Sequence, residues 1–261
     1  MSPKIWNQGQ FHSATSARER SFAATANRWV YWLCRHWLLV VSLLLGLYAG
    51  LPWLAPLFMK LGWTGAGNAI YLIYSTQCHQ LPQRSFFLFG PRSMYSLAEI
   101  QAAWKVTNNP IILRQFVGNP EMGWKVAWSD RMVSMYTGLF VFGLLYWPWR
   151  RRLKPLSLWG FALLILPMVV DGGTHVISDL AGIGQGFRDS NAWLATLTNN
   201  VFPATFYAGD ALGSFNSWMR LITGVLFGLG VVWLAYPYVE SAFADTARQI
   251  EDKFQRAGLR L

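Results

Sequence analysis

The chain has 261 residues, of which 53% are hydrophobic and only 13% are charged, with 15 Trp and a formal net charge of +10. Soluble domains carry about a quarter charged residues, so this composition points to a membrane protein. It also excludes a disordered chain, a collagen and a disulfide-rich secreted domain. The basic residues cluster beside apolar segments rather than along an aromatic stripe. This pattern is typical of a membrane protein and argues against a nucleic-acid partner.

Four apolar segments are predicted to cross the bilayer, because a spanning helix needs about 20 predominantly apolar residues. The predicted spans are residues 37–59, 132–149, 156–178 and 218–238. Residues 63–75 are apolar but short and glycine-containing, which predicts an interfacial or re-entrant helix. The sequence therefore predicts an all-α fold, a polytopic membrane bundle of about four transmembrane helices plus interfacial helices.

The distribution of Lys and Arg predicts the orientation of this 37–238 transmembrane domain. Basic residues are concentrated in residues 1–36 and in the loop 150–155, and such segments stay in the cytoplasm. The tail 239–261 carries apolar residues at helical spacing and is predicted to be a cytoplasmic amphipathic helix. Segments 60–131 and 171–217 then face outward from the cell (inner) membrane.

Residues 192–217, which end the second outward segment, contain Asn199-Asn200 and Pro203, followed by two glycines. Such residues punctuate regular structure. We expect this stretch to be an appendage on the outer face, with little regular structure beyond a short helix.

Two small-residue motifs lie within predicted spans, Gly46-x-x-x-Gly50 and Gly224-x-x-x-Gly228. This spacing is typical of a helix dimer interface or of close packing inside one bundle. Because a four-span protein has enough internal partners, we favour internal packing. The lipid bilayer is the expected partner, and a homo-oligomer or a partner in a membrane complex stays open.

Residues 78–86 contain the highest density of side chains that could bind a ligand or take part in a reaction. Cys78 and His79 could bind a metal or support thiol chemistry. Adjacent residues on regular structure point apart, however, so chemistry alone favours a structured loop whose polar groups satisfy one another. With Cys34, the chain has two cysteines, which are too few for a zinc ribbon.

Asp171, His175 and Asp179 are spaced four residues apart, which places them on one face of a continuous helix. A carboxylate that holds an imidazole can act as a general base or orient a metal ligand, so Asp171 and His175 are the catalytic candidates. The alternative is that Asp171 neutralises Arg131 or Arg84 at the membrane boundary. A short inner loop makes the second and third spans antiparallel neighbours, which predicts an Arg131–Asp171 contact.

Further motifs accompany these residues. In chain order they are Cys78-His79-Gln80-x-Pro82-x-Arg84-Ser85-Phe86, Gly118-Asn119-Pro120-x-Met122-Gly123, Arg131, Asp171-Gly172-Gly173-Thr174, Arg188-Asp189-Ser190 and Arg220-x-x-Thr223-Gly224. With these motifs the chain resembles, over roughly residues 70–235, the uncharacterised prokaryotic membrane protein family catalogued as domain of unknown function 2085. The resemblance implies a polytopic inner-membrane protein and supplies no activity.

The predicted function is an outward-facing polar site that binds or transforms a small molecule, a lipid headgroup or a metal. The arginines would hold an anionic group. The ligand-binding candidates are Cys78, His79, Arg84, Arg131 and Arg188, and the metal-ligand candidates are Cys78, His79 and His175. Two alternatives are a structural or assembly subunit of a membrane complex and a small transporter or channel. The predicted spans carry almost no polar stripe, which argues against transport.

Overall fold

The computed structural model describes residues 17–261, with side chains from residue 21 onward. The helices are α1 (Ala17–Lys60), α2 (Thr64–Tyr74), α3 (Leu97–Ala103), α4 (Pro110–Leu113), α5 (Asp130–Tyr146), α6 (Leu158–Asp179), α7 (Phe187–Ser190), α8 (Ala192–Leu197), α9 (Ala204–Tyr207) and α10 (Phe215–Arg256). The strands are β1 (Ser85–Leu88), β2 (Gly118–Asn119) and β3 (Gly123–Ser129). Two compact units can be distinguished, residues 38–240 and a terminal unit made of the residues up to 37 together with 241–261.

Three helices of the described chain are long and apolar enough to cross a membrane: α1 over Ser21–Lys60, α6 and α10. The predicted count of four spans is not confirmed, because α5 has only 17 residues. A 3-10 turn, Trp147–Trp149, follows it and contains Pro148. Pro148 lacks the backbone N–H that an α-helix would use, and the chain leaves the α-helical pattern at this turn.

Both terminal helices extend beyond the predicted limits. The first helix was expected to start at Trp37 but is already formed at Ala17, so much of the predicted N-terminal tail is helical; residues 1–16 lie outside the described part. The predicted separate helix in 239–261 is the continuation of α10 to Arg256. The physical reason is the same at both ends, since neither 17–36 nor 238–256 contains a glycine or proline that would interrupt the helix.

In the terminal unit, the start of α1 packs against the end of α10. The Tyr31 hydroxyl donates a 2.8 Å hydrogen bond to Glu251, and the rings of Trp37 and Phe243 have centroids 5.9 Å apart. Phe254, on the predicted apolar face of the tail, is buried. The two ends of the described chain therefore associate directly.

A small antiparallel sheet, in the order β1-β3-β2, corrects the expectation of an all-α fold. Its strands are short, and β3 is buried over Val126, Ala127 and Trp128, so it lacks the alternation that identifies a half-exposed strand. In the register of the sheet, Ser85 pairs with Ser129. This pairing brings the residue before β1, Arg84, close to the residue after β3, Asp130.

The core of the 38–240 unit is built around Trp128, which is fully buried. Its ring lies 5.2 Å from Tyr48 of α1, 5.1 Å from Tyr74 of α2 and 4.8 Å from Tyr136 of α5, measured between centroids. Aromatic pairs at these distances contribute beyond their buried area. One tryptophan of the sheet thus joins three helices.

The helices α5 and α10 pack closely at glycines. A Cβ at Gly224 would overlap Ser134 Oγ and lie 3.0 Å from the Arg131 carbonyl oxygen, and a Cβ at Gly228 would lie 2.8 Å from the Leu139 nitrogen. The prediction of internal packing is confirmed for this motif. In the other motif Gly46 faces Phe140, whereas Gly50 has open space.

Candidate functional site

Four arginines and four aspartates meet where α5 and α10 begin and α6 ends. We call this set the ion-pair network; its members are Arg84, Arg131, Arg188, Arg220, Asp130, Asp171, Asp179 and Asp210. All are buried except Arg131 and Asp179, which are partly exposed. Charges away from water are costly unless they are paired and hydrogen-bonded, so the pairing determines how these chain segments assemble.

Asp210 is the bridge in one half of the network. It accepts a 2.8 Å bond from Arg84 Nε and a 2.6 Å bond from Arg220 Nη1. Arg84 also donates two parallel bonds to Asp179, of 2.7 and 2.8 Å, and Arg220 Nε donates to Asp130 at 2.7 Å. Burial acts to raise the pKa of Asp210, but the charges of Arg84 and Arg220 hold it well below its usual range. Asp210 is therefore ionised at neutral pH.

Asp171 is the bridge in the other half. The predicted contact with Arg131 is present, since Arg131 Nη2 donates to Asp171 Oδ2 at 2.7 Å. Arg188 Nη2 donates to the other oxygen, Oδ1, at 2.6 Å, and its Nε donates to the Asn216 amide oxygen at 3.1 Å. Two guanidinium groups thus share one carboxylate, which leaves this half of the network with excess positive charge.

His175 lies between the two halves. Its Nδ1 is 3.0 Å from the Asp171 carbonyl oxygen, and its Nε2 is 3.4 Å from Arg220 Nη1. A neutral imidazole that carries its proton on Nδ1 satisfies both contacts, donating to the carbonyl and accepting from the guanidinium. Both ring nitrogens are engaged in this arrangement, and the nitrogen that would act as a base already accepts a hydrogen bond from Arg220.

A cavity of about 300 Å³ adjoins the network. Its charged lining consists of three arginines, Arg84, Arg131 and Arg220, and one aspartate, Asp179. Arg131 is the least enclosed of these arginines, with 19% of its side chain exposed. Within the described residues its guanidinium makes one hydrogen bond, to Asp171, and the residue lines the cavity.

Cys78 and His79 also line this cavity. The Cys78 sulfur accepts the backbone N–H groups of Gln80 and Ser129, both at 3.4 Å. His79 Nδ1 accepts the backbone N–H of Leu81 at 3.3 Å, which leaves an N–H on Nε2. Burial of the ring and the charge of Arg84 lower the pKa of His79 to about 4, so this ring is neutral at pH 7, although part of the residue is exposed to solvent.

The candidate metal ligands Cys78, His79 and His175 do not form a metal-binding group in the structure. Among the described residues, no three His, Cys, Asp or Glu side chains are grouped so that they could hold a metal ion. Cys34 and Cys78 are both free and buried. In the 78–86 loop, Gln80, Arg84 and Ser85 hydrogen-bond within the protein, whereas the buried side-chain amide of Gln83 has no partner among the described residues.

Four members of the network were not among the predicted site residues: Asp130, Asp179, Asp210 and Arg220. The sequence places Asp179 on the helix face of Asp171 and His175 without giving it a role in the site. Arg220 and Asp130 stand at the starts of apolar helices, where an unpaired charge is costly, and this signal could have identified them. Asp210 had no such signal, because it lies in the stretch 192–217 that was expected to be an outer appendage. That expectation is wrong, since Asp210 and Asn216 are buried and hold three of the four arginines.

Comparison shows that part of the chain is similar to known proteins. Residues 121–234 match the model of a family described as predicted membrane protein (DUF2085). An uncharacterized protein of Methanocaldococcus jannaschii is 28% identical over 183 residues, which cover 66% of this chain and 90% of that protein. No solved structure matches the chain. The matched region contains Arg131, Asp171, Arg188 and Arg220, and the resemblance to this family of membrane proteins is therefore confirmed over residues 121–234.

Proposed function

We propose that this membrane protein binds the anionic group of a small molecule or lipid, a phosphate or a carboxylate, in the cavity beside Arg131. The observation that carries the proposal is the sharing of one carboxylate, Asp171, by Arg131 and Arg188. Arg131 is therefore only partly neutralised, and it lines the cavity. Guanidinium groups in such settings bind carboxylate and phosphate through two parallel hydrogen bonds.

The lining of the cavity supports an anion rather than a cation. Arg84 and Arg220 line it while paired with aspartates, and Arg131 lines it while sharing its aspartate with Arg188. His79 contributes a neutral N–H donor instead of a charge. Interactions between charges strengthen where bulk water is excluded. The volume, about 300 Å³, lies at the lower end of ligand pockets, which favours a single small anionic group.

We infer that α5 is a fourth span, completed by the turn that follows it. The contacts between the start of α1 and the end of α10 support this, because they put both ends on one side of the membrane. An even number of crossings is then required. The three longer helices give an odd number, and α5 is the next most suitable helix, with its Gly138 face packed against α10.

We also propose that both termini are cytoplasmic and that the cavity opens on the outer side of the cell (inner) membrane. The four basic residues of the loop between α5 and α6 support this orientation by the positive-inside rule. This loop connects the ends of α5 and α6 that are remote from the ion-pair network. The network therefore lies at the opposite, outward end of these helices.

The proposed binding is tested on the full chain, purified in detergent, by thermal unfolding with inorganic phosphate or acetate added. We expect a rise in melting temperature for the wild type that is lost in Arg131→Gln, in which Asp171 keeps Arg188 as its partner. The control is Arg92→Gln, which removes an arginine from the exposed Arg92–Glu99 pair.

Native mass spectrometry of the same samples distinguishes a lipid headgroup from a free anion. A phospholipid that stays bound to the wild type and is absent from Arg131→Gln would identify the headgroup as the source. The proposal is wrong if neither anion stabilises the wild type and no phospholipid depends on Arg131.

A further inference from the structure

A second, larger cavity lies against the opposite face of α6. It has a volume of about 750 Å³ and is bounded by α6, the first turns of α10, and α7 with the start of α8. The residues of α6 that line it include Val170 and Thr174, whereas His175 and Val176 line the cavity beside Arg131. At 3.6 residues per turn these two sets project from opposite sides of the helix. We call this second cavity the apolar groove.

The walls of the groove are almost entirely apolar. Leu166, Pro167 and Val170 come from α6 and Met219 from α10, and both helices are candidate membrane spans. Trp193 of α8 also lines the groove, and 47% of this residue is exposed. An apolar groove between spanning helices faces lipid tails, and tryptophan is enriched at the level of the headgroups. The occupant that fits this position is a hydrocarbon chain.

One end of the groove is polar and carries excess positive charge. Arg188 lies there, with its guanidinium carbon 5.3 Å from the centre of the Phe215 ring. Asp171 also lines this end, but its carboxylate is shared with Arg131 on the far side of α6. Arg188 Nη1 already donates to the Thr174 hydroxyl at 3.2 Å, and Ser190 adds a further hydroxyl group to the lining. An anionic headgroup would therefore find a complementary charge next to the position of its chain.

We propose that the apolar groove binds an acyl chain of an anionic phospholipid, with the phosphate of that lipid beside Arg188. The volume lies within the range of ligand pockets, and burial of a chain against these walls supplies the affinity. The positive end supplies the preference for an anionic lipid over a zwitterionic one. This site shares no lining residue with the cavity of the proposed function, to which it is linked only through Asp171, the common partner of Arg131 and Arg188, and it does not depend on that function.

The test compares two adjacent exposed valines of α6. Val170 lines the groove, whereas Val169, which is 59% exposed, does not. The full chain is incubated with phosphatidylglycerol or phosphatidylcholine, and the lipid retained is measured by native mass spectrometry. We expect the wild type and Val169→Trp to retain one phosphatidylglycerol in preference to phosphatidylcholine. Retention by Val170→Trp should be about tenfold weaker, because the indole fills the space of the chain.

A second groove variant, Ala192→Phe, provides the same comparison from α8 if Val170→Trp does not fold. Equal retention of phosphatidylglycerol by the wild type and both groove variants would overturn the site. Equal retention of phosphatidylglycerol and phosphatidylcholine by the wild type would overturn the headgroup assignment. Stabilisation by inorganic phosphate should persist in Val170→Trp and be lost in Arg131→Gln. Failure of this inference is thereby separated from failure of the proposed function.

Discussion

At the scale of single residues, the bridging aspartates determine whether the buried arginines are tolerated. Asp210 joins Arg84, which precedes β1, to Arg220, at the start of α10. All three side chains are buried. Removal of one member of a buried ion pair leaves its partner charged and desolvated, which costs more than the pair itself contributes. We therefore expect the protein to be sensitive to the loss of Asp210.

We expect Asp210→Asn to lower the free energy of unfolding by about 3 kcal/mol, since it removes a charge that faces two buried guanidinium groups. The measurement is denaturant or thermal unfolding of the purified protein in detergent. Asp245→Asn is the matched control, because its pair with Arg248 is exposed and should contribute nothing measurable. Equal stability of Asp210→Asn and the wild type would contradict the role of Asp210 as a bridge.

Lys125, in the middle of β3, is fully buried and donates to the carbonyl oxygens of Gln80 and Arg114 at 2.9 and 2.6 Å. Burial and the charge of Arg114 lower its pKa from 10.5 to about 7. Above pH 7 the folded protein therefore holds this amine neutral, whereas the unfolded chain still binds the proton up to about pH 10.5. A depressed lysine pKa makes the folded state gain stability as the pH rises through this interval.

We predict that Lys125→Met removes this contribution, which has a slope of about 1.4 kcal/mol per pH unit between pH 7 and 10. The measurement is the free energy of unfolding of both proteins at several pH values in that range. The difference between the two curves isolates Lys125 from the other groups that titrate there. Parallel curves would show that the amine remains protonated in the folded protein.

At the scale of elements, the contact between α5 and α10 depends on the absence of side chains at Gly224 and Gly228. We expect Gly224→Ala to destabilise the protein by about 1–3 kcal/mol, because the methyl group would overlap Ser134 and approach the backbone of α5. The control is Gly50→Ala, at a position with open space, where alanine also favours the helix. Thermal unfolding of both variants measures the difference. A larger loss in Gly50→Ala would instead indicate that the α1 motif has a partner outside the chain.

At the scale of the whole molecule, the orientation can be tested with introduced cysteines, since Cys34 and Cys78 are both buried. Val106, which is 85% exposed, lies in the segment predicted to face outward, and Arg151 lies in the loop between α5 and α6. In intact cells a membrane-impermeant maleimide should label Val106→Cys and spare Arg151→Cys. After permeabilisation both should react. The reverse pattern would place the ion-pair network on the cytoplasmic side.

The sequence by itself determined the features that depend on local composition. Long apolar segments predict the helices α1, α6 and α10 because a bilayer requires a fixed length of apolar chain. The short loop between the second and third spans predicts that Arg131 and Asp171 meet, because antiparallel neighbours bring the end of one helix to the start of the other. The spacing of Asp171 and His175 likewise predicts one helix face.

Only the tertiary structure decided which distant charges pair and which strands form. Asp210 reaches Arg84 across 126 positions of the chain, and nothing near Asp210 in sequence indicates a buried partner. The sheet depends on the pairing of Ser85 with Ser129, which no local periodicity reveals, because β3 is buried on both faces. Long-range pairings depend on how elements are brought together, and a buried charge is recognisable only once its surroundings are known.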